Sequence, residues 1–435
     1  MDQQTVPTWL VQGLPHVWLP YAQMRTAPTP LPVVGAEGVR LKLADGRELI
    51  DGVSSWWTAC HGYNHPHIRA AVEAQLARLP HVMFGGLAHE PAFRLAARLA
   101  QLAPGDLDHV FFAESGSVSV EIALKMALQY WRNRGEAQRT RFLAFRGGYH
   151  GDTFEAMAVT DPEIGMHDAW RGNLHHHLYA ELPRDAASPA DLERLLQEQG
   201  EHIAAAIVEP LVQGAGGMRM HDGATLRALS EACARHGVLL IADEIMTGFG
   251  RTGRMFACEE AGIVPDLLCL SKALTGGTLP LAATVARRHV FEAFLGDDAT
   301  RAFMHGPTFM GNALACAAAN ASLDLFESEP RLAQVAAIED QLRRELEPCR
   351  ALPGVTDVRV KGAIGVVQLS EGGRAAALRP HFVERGVWLR PFGDIVYVMP
   401  PFVITPGELS QLTGVVREVL LTCLPGPAGA ADDVV

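Results

Sequence analysis

The sequence predicts an α/β protein: one large unit with a mostly parallel sheet flanked by helices, and a smaller α+β unit. Three observations carry this. Through the middle of the chain, short apolar runs alternate with segments of helical period. The runs are apolar at nearly every position, as strands covered on both faces are. Glycine, serine and charged residues collect where each run ends, and beyond about Pro330 the pattern changes to a helix followed by strands with tight turns.

Taken in order, the first stretch is rich in proline and aromatics (Trp9, Trp18, Tyr21, Trp56, Trp57), with a strand-turn-strand unit over Val39–Ile50 turning at Asp45-Gly46. A helix opens at His65-Pro66, where a proline lacking its N–H costs nothing, and carries Ile68, Val72, Leu76 and Leu79 at helical spacing. A second helix, Glu90–Leu102, is stopped by Pro104-Gly105. Strand His109–Ala113 then runs through Glu114-Ser115-Gly116-Ser117 into a helix, Val118–Trp131, and strand Arg141–Phe145 ends in Gly147-Gly148. A helix starts at Ser188-Pro189-Ala190-Asp191, which combines a cap, a first-turn proline and an early acid. Strand Ile203–Val208 ends in Glu209-Pro210, helix Thr225–His236 is closed by Gly237, strand Val238–Ala242 ends in Asp243, and strand Leu267–Leu270 ends in Ser271-Lys272. A helix over Leu332–Leu346 opens the last part, and the Pro/Gly/Ala-rich tail from Pro425 is expected to fray.

The 435 residues suit two or three packed units, at roughly 100–200 residues per domain. With 48% hydrophobic and 20% charged residues, bulk disorder is excluded. A net charge of -12 argues against a nucleic-acid partner or charge-driven attachment to a membrane. Seven cysteines scattered singly are not a disulfide framework, and no stretch approaches the length of a membrane span. The first residues, Met1 to Thr5, do not open a targeting segment. A soluble, cytoplasmic protein is expected.

In open α/β sheets ligands bind beyond the carboxyl ends of the strands, and three such ends stand out. Ser115-Gly116-Ser117 precedes a helix, where free N–H groups and the positive end of the dipole suit a phosphate; taken alone, a plain serine-capped helix explains it better. Asp243 follows five apolar residues, and a carboxylate there is costly unless a cation meets it, although it could simply cap a helix. Lys272, after another apolar run, is either a surface lysine or an amine with a lowered pKa fit for Schiff-base chemistry. Together they supply what pyridoxal phosphate needs: an anion site, a partner for its ring nitrogen and an amine for its aldehyde.

The segment Leu239 through Gly253, with Ser271-Lys272, resembles the signature of the class III (omega) aminotransferases, a family of fold-type I pyridoxal-phosphate enzymes. The likeness runs from Val17 to Pro401. Its more specific elements are Asp51-Gly52-Val53-Ser54-Ser55-Trp56-Trp57, His61 to Pro66, Tyr149-His150-Gly151-Asp152-Thr153, His305 to Asn312 and Arg390-Pro391-Phe392-Gly393. These are most similar to the branch that passes an amino group from S-adenosylmethionine to 8-amino-7-oxononanoate.

The resemblance implies that Gly116 and Ser117 bind the cofactor phosphate, Tyr149 stacks on the ring, Asp243 pairs with its nitrogen and Lys272 forms the Schiff base. It implies a homodimer in which Pro307 and Thr308 reach the partner's phosphate and Gly306 the partner's substrate pocket. Tyr21, Trp56 and Trp57 would wall the substrate channel, Arg390 would receive a carboxylate, and Asp152, Arg251 and Tyr397 are further substrate positions. Neighbours on a strand face opposite ways, so Trp56 is expected in the pocket and Trp57 in the core. The resemblance also implies a large domain over 65–329 and a small domain built from 1–64 and 330–435. Other class III enzymes acting on ornithine, 4-aminobutyrate or diamines, a lysine donor, and a catalytically silent scaffold are the rival expectations.

The triplet His175-His176-His177 is expected to be a loop and not a metal site, because adjacent side chains seldom converge. Gly214 to Gly217 opens no helix and is not a dinucleotide fingerprint.

Overall fold

The computed structural model describes residues 6–164, 166–184, 188–370 and 375–424. The first five residues and the tail from Pro425 lie outside the described residues. Strands β1 (Val33–Glu37), β2 (Arg40–Leu43) and β3 (Glu48–Asp51) form the N-terminal meander, with the turn at Asp45-Gly46. The central strands are β4 (Leu107–Ala113), β5 (Arg141–Phe145), β6 (Leu178–Ala180) and β7 (Ile203–Val208). A short hairpin, β8 (Val212–Gln213) and β9 (Arg219–Met220), precedes β10 (Leu239–Asp243), β11 (Leu267–Leu270) and β12 (Ala282–Arg287).

These build a seven-stranded sheet of order β4-β12-β11-β10-β7-β5-β6. The steps from β11 to β6 are all parallel, and only β12 runs against its neighbours. Neither β6 nor β12 was expected from sequence: β6 has three residues, and β12 follows a proline and glycine-rich segment with no helical crossover before it.

Side chains alternate along these strands between two cores. Leu240 and Ala242 face one core with Leu268 and Leu270, while Leu239 and Ile241 face the other with Leu267 and Cys269. The second core is closed by the helix Gly116–Asn133 through Ile122, Met126 and Tyr130. Burial on both faces explains the uninterrupted apolar runs; each Leu or Ile so buried contributes about 1.5–3 kcal/mol.

The ends of the chain meet in a second sheet. β13 (Val355–Lys361), β14 (Ile364–Leu369) and β16 (Ile395–Val398) form a three-stranded antiparallel sheet. The two-residue β15 (Val387–Trp388) pairs in parallel with β3, Trp388 opposite Asp51. N-terminal and C-terminal segments therefore share one four-stranded sheet.

Helices Arg331–Leu346 and Pro406–Cys423 cover the C-terminal unit. The second starts with a reciprocal cap: Glu408 N–H donates to Thr405 Oγ1, and Thr405 N–H donates back to Glu408 Oε2 at 3.1 Å. Thr405→Ala is expected to lower stability by about 1 kcal/mol, read as a shift in the denaturation midpoint; an unshifted midpoint would show that the helix is held by packing alone.

Candidate active site

The carboxyl ends of β4, β7, β10 and β11 border a cavity of about 200 Å³. Lining it are Ser115, Gly116 and Ser117 at one end and Glu209, Asp243 and Lys272 on its floor. Tyr149, His150, Gly151 and Trp57 also line it.

The floor follows from sheet order, since Glu209, Asp243 and Lys272 leave three adjacent strands. Asp243 is buried; its Oδ2 accepts a hydrogen bond from His150 Nδ1 at 2.8 Å and its Oδ1 accepts from Ile245 N–H at 3.1 Å. Glu209 accepts from the backbone N–H of Tyr149 (2.9 Å) and of Gly214 (2.8 Å). Burial pushes its carboxyl up to about 7, opposed by His150 and reinforced by the negative Asp243. Burial likewise lowers the Lys272 pKa, against the pull of Asp243 and Glu209. The Lys272 amine lies 4.7 Å from the ring centre of Trp57, and its backbone is left-handed at φ 47°. Glu244, one residue beyond Asp243, turns inward and caps the backbone N–H groups of Ala257 and Cys258.

At the other end, Ser115 caps the 18-residue helix through Val118 N–H. Two glycines shape the cradle in front of it. A Cβ on Gly116 would come within 3.0 Å of Ile245, and one on Gly151 (φ +129°) would lie 2.3 Å from Ser117 Oγ. Free N–H groups at a helix start, with backbone pressed this close, fit a phosphate. A carboxylate and an amine on the floor fit a protonated ring nitrogen and an aldehyde, so these residues suit pyridoxal phosphate.

The rim is built around Asp152. Its carboxylate accepts hydrogen bonds from the hydroxyls of Tyr21 and Tyr149 (the latter 2.9 Å) and from His167 Nε2 at 3.0 Å; the His167 bond is the largest cause holding its pKa below the usual range. Arg390 lies over two rings, 4.5 Å from the centre of Trp56 and 5.8 Å from that of Tyr21.

Several expectations change here. Trp56 and Trp57 are not on a strand: Ser54, Ser55, Trp56 and Trp57 all have positive φ, a left-handed turn. Each such residue costs roughly 1–2 kcal/mol. The turn sends both rings to the site at different depths. Trp57 lines the inner cavity beside Lys272, and the more exposed Trp56 lies under Arg390.

Arg251 does not line the cavity. Its guanidinium is buried, donates to the carbonyls of Pro400 (2.8 Å) and Ala363 (3.2 Å) and stacks on Phe402, tying the C-terminal unit to the sheet. Tyr397 is buried behind Trp57, ring centres 6.2 Å apart. Gly306, Pro307 and Thr308 do not line this chain's own cavity. His175 and His177 both hydrogen-bond Glu155 in the loop before β6, and no group of three metal-ligating side chains occurs among the described residues.

His150, Glu209 and His167 were not singled out from sequence. Glu209 carried a usable signal, the same apolar-strand-then-acid pattern as Asp243. His167 carried none, because it lies in a loop.

The aminotransferase class III family model matches residues 21–420, and the chain belongs to that family of pyridoxal-phosphate-dependent transaminases. Its relatives include proteins named adenosylmethionine-8-amino-7-oxononanoate aminotransferase. That of Mycobacterium leprae is 47% identical over 413 residues, spanning 93% of this chain and 94% of the relative. That of Buchnera aphidicola from Acyrthosiphon pisum is 44% identical over 412 residues, spanning 93% and 96%. The crystal structure of the Methanocaldococcus jannaschii protein of the same name matches with a TM-score of 0.91 at 32% identity, over 94% of this chain and 98% of that one.

The Glu209 carboxyl allows a pH test. Its folded-state pKa of about 7 exceeds the ordinary value of about 4.3. The stability it contributes is fully present below that ordinary value and is lost as pH rises through about 7. Glu209→Gln is therefore expected to flatten the fall in Tm between about pH 5 and pH 7.5, measured by thermal denaturation across that range. An unchanged slope would mean that Glu209 is ionised throughout.

Proposed function

We propose that this chain transfers the amino group of S-adenosylmethionine to the 7-oxo carbon of 8-amino-7-oxononanoate, giving 7,8-diaminononanoate, in a ping-pong reaction of biotin synthesis. The observation that carries the choice of acceptor is Arg390 stacked on Trp56 beside Tyr21. The acceptor is a methylene chain with a carboxylate at one end; aromatic faces suit the chain, and a guanidinium fork suits the carboxylate. Ornithine and 4-aminobutyrate also end in a carboxylate, but their shorter methylene chains offer less apolar surface for a tryptophan pair to cover.

Pyridoxal phosphate, when bound, supplies an aldehyde carbon that condenses with amines and a ring that accepts the electron pair of a broken C–H bond. Ser115, Gly116 and Ser117 would hold its phosphate, Asp243 its ring nitrogen and Tyr149 its ring face. His150 holds the Asp243 carboxylate in place. Lys272, its amine made less basic by burial, would hold the aldehyde and, as a free amine, would take a proton from the amine-bearing carbon of the donor and return it to the former aldehyde carbon. Asp152 is an acidic neighbour for the sulfonium of the donor.

The same reading includes a cytoplasmic homodimer. Met304 and Phe309 are exposed, and they flank Gly306, Pro307 and Thr308, which a second copy would use. No helix among the described residues is long and apolar enough to cross a membrane. The domain division at 64/65 and 329/330 is supported by the pairing of β15 with β3.

Mixing candidate donors with the cofactor-loaded protein tests the donor: S-adenosylmethionine is expected to discharge the cofactor's visible absorbance, and discharge by lysine alone would overturn it. Lys272→Ala should lose both that absorbance shift and turnover, and a variant retaining turnover would sink the mechanism. Arg390→Ala removes a charge-assisted contact and is expected to raise KM for the oxo acid by about tenfold or more; steady-state kinetics at fixed donor measure it.

A further inference from the structure

We propose that Asp51 is a positioning residue for acceptor selection: its carboxylate fastens the left-handed turn Ser54–Trp57 in the shape that places Trp56 under Arg390. The inference rests on the acceptor assigned above. No ion pair among the described residues involves Asp51, which is fully buried at the end of β3. Its three hydrogen-bond donors all belong to the turn or its brace. Oδ1 accepts from Val53 N–H at 2.9 Å, and Oδ2 accepts from Ser55 N–H at 2.8 Å and from the Tyr63 hydroxyl at 2.5 Å. The Tyr63 oxygen is also 2.5 Å from Ser55 Oγ, so the same residue is held from both its backbone and its side chain.

A buried carboxylate with no cation in contact is stable only where several donors reach it, and here those donors define a strained backbone. Left to itself, a turn with φ of 48°, 47°, 55° and 74° at Ser54, Ser55, Trp56 and Trp57 would relax. Asp51 is also paired with Trp388, two residues before Arg390, through the parallel β3–β15 contact. Gly52 N–H donates to the Trp388 carbonyl, and Ser54 Oγ donates to the Met399 carbonyl. One carboxylate thus lies at the junction of the tryptophan turn and the strand that delivers the arginine. It touches neither the cavity nor the substrate region, and it acts through Trp56.

The experiment compares wild type, Asp51→Asn and the milder Tyr63→Phe, each loaded with pyridoxal phosphate. Two acceptors are used: 8-amino-7-oxononanoate and the same amino ketone with a methyl group in place of the carboxylate. Asp51→Asn is expected to raise KM for the carboxylated acceptor about tenfold, with a smaller fall in kcat, and KM for the neutral analogue, which shares the chain but not the carboxylate, by no more than about threefold. Tyr63→Phe is expected to move the same way by about threefold. Adding Ser55→Gly to Asp51→Asn should restore part of the preference, because glycine adopts this φ without cost.

Equal loss for both acceptors, or no change in either variant, would overturn the proposal. Hydrogen exchange decides the role of Asp51 without any acceptor: the amides of Ser54 to Thr58 should exchange faster in Asp51→Asn while those of the central sheet do not. If wild type ignores the oxo acid, the acceptor assignment fails. Unaltered exchange in the variant overturns the proposal by itself.

Discussion

The site depends on three ionisable side chains kept out of water at one edge of a sheet. Glu209, Asp243 and Lys272 leave β7, β10 and β11, which are neighbours in that sheet. Adjacent strands lie about 4.8 Å apart, so the spacing of these groups is fixed by backbone hydrogen bonds and not by loops. An ion held away from water costs several kcal/mol unless partners offset it. Here the offset is mutual: the carboxylates favour a charged lysine, His150 Nδ1 donates a hydrogen bond to Asp243, and two backbone N–H groups reach Glu209. Burial works the other way on both kinds of group, making the amine less basic and the Glu209 acid weaker. An amine so placed is closer to the neutral form that attacks an aldehyde.

The group proposed to recognise the acceptor is built separately. Arg390, Trp56 and Tyr21 come from the two ends of the chain, joined where β15 pairs with β3. That sheet contributes nothing to the floor of the cavity. The link between the two regions is Trp57, with Lys272 on one side and Tyr397 behind it. Arg251 adds a second link by binding the carbonyls of Ala363 and Pro400 from the large sheet's side.

The central strands were legible because burial on both faces leaves an unmistakable apolar run, and Asp243 and Lys272 stood out because a charge at the end of such a run needs a reason. β6 and β12 were not legible: three residues are too few for a pattern, and a strand without a preceding helix breaks the βα rhythm. The tryptophan turn departs from its sequence expectation for a physical reason. Strand alternation predicts opposite faces for Trp56 and Trp57, and four successive left-handed residues have no signature in a sequence that contains no glycine at those positions. Arg251 was named by resemblance alone, and nothing in its local sequence announces that its guanidinium meets backbone carbonyls inside the fold.

Strain is distributed in a way that matches this division. Among the described residues ten non-glycine positions have positive φ, and six of them, Tyr21, Ser54, Ser55, Trp56, Trp57 and Lys272, belong to the site or its rim. Such conformations persist only where the surroundings over-determine them. For Lys272 the surroundings are the buried edge of the sheet. For the tryptophans they are a carboxylate, a tyrosine hydroxyl and the carbonyl of Met399. The lysine is therefore anchored by apolar packing and the tryptophan turn, with the specificity proposed for it, by a polar network. The second anchor is the easier to change: losing one hydroxyl or one carboxylate can reshape what the site accepts while the strand spacing that holds the lysine stays as it was.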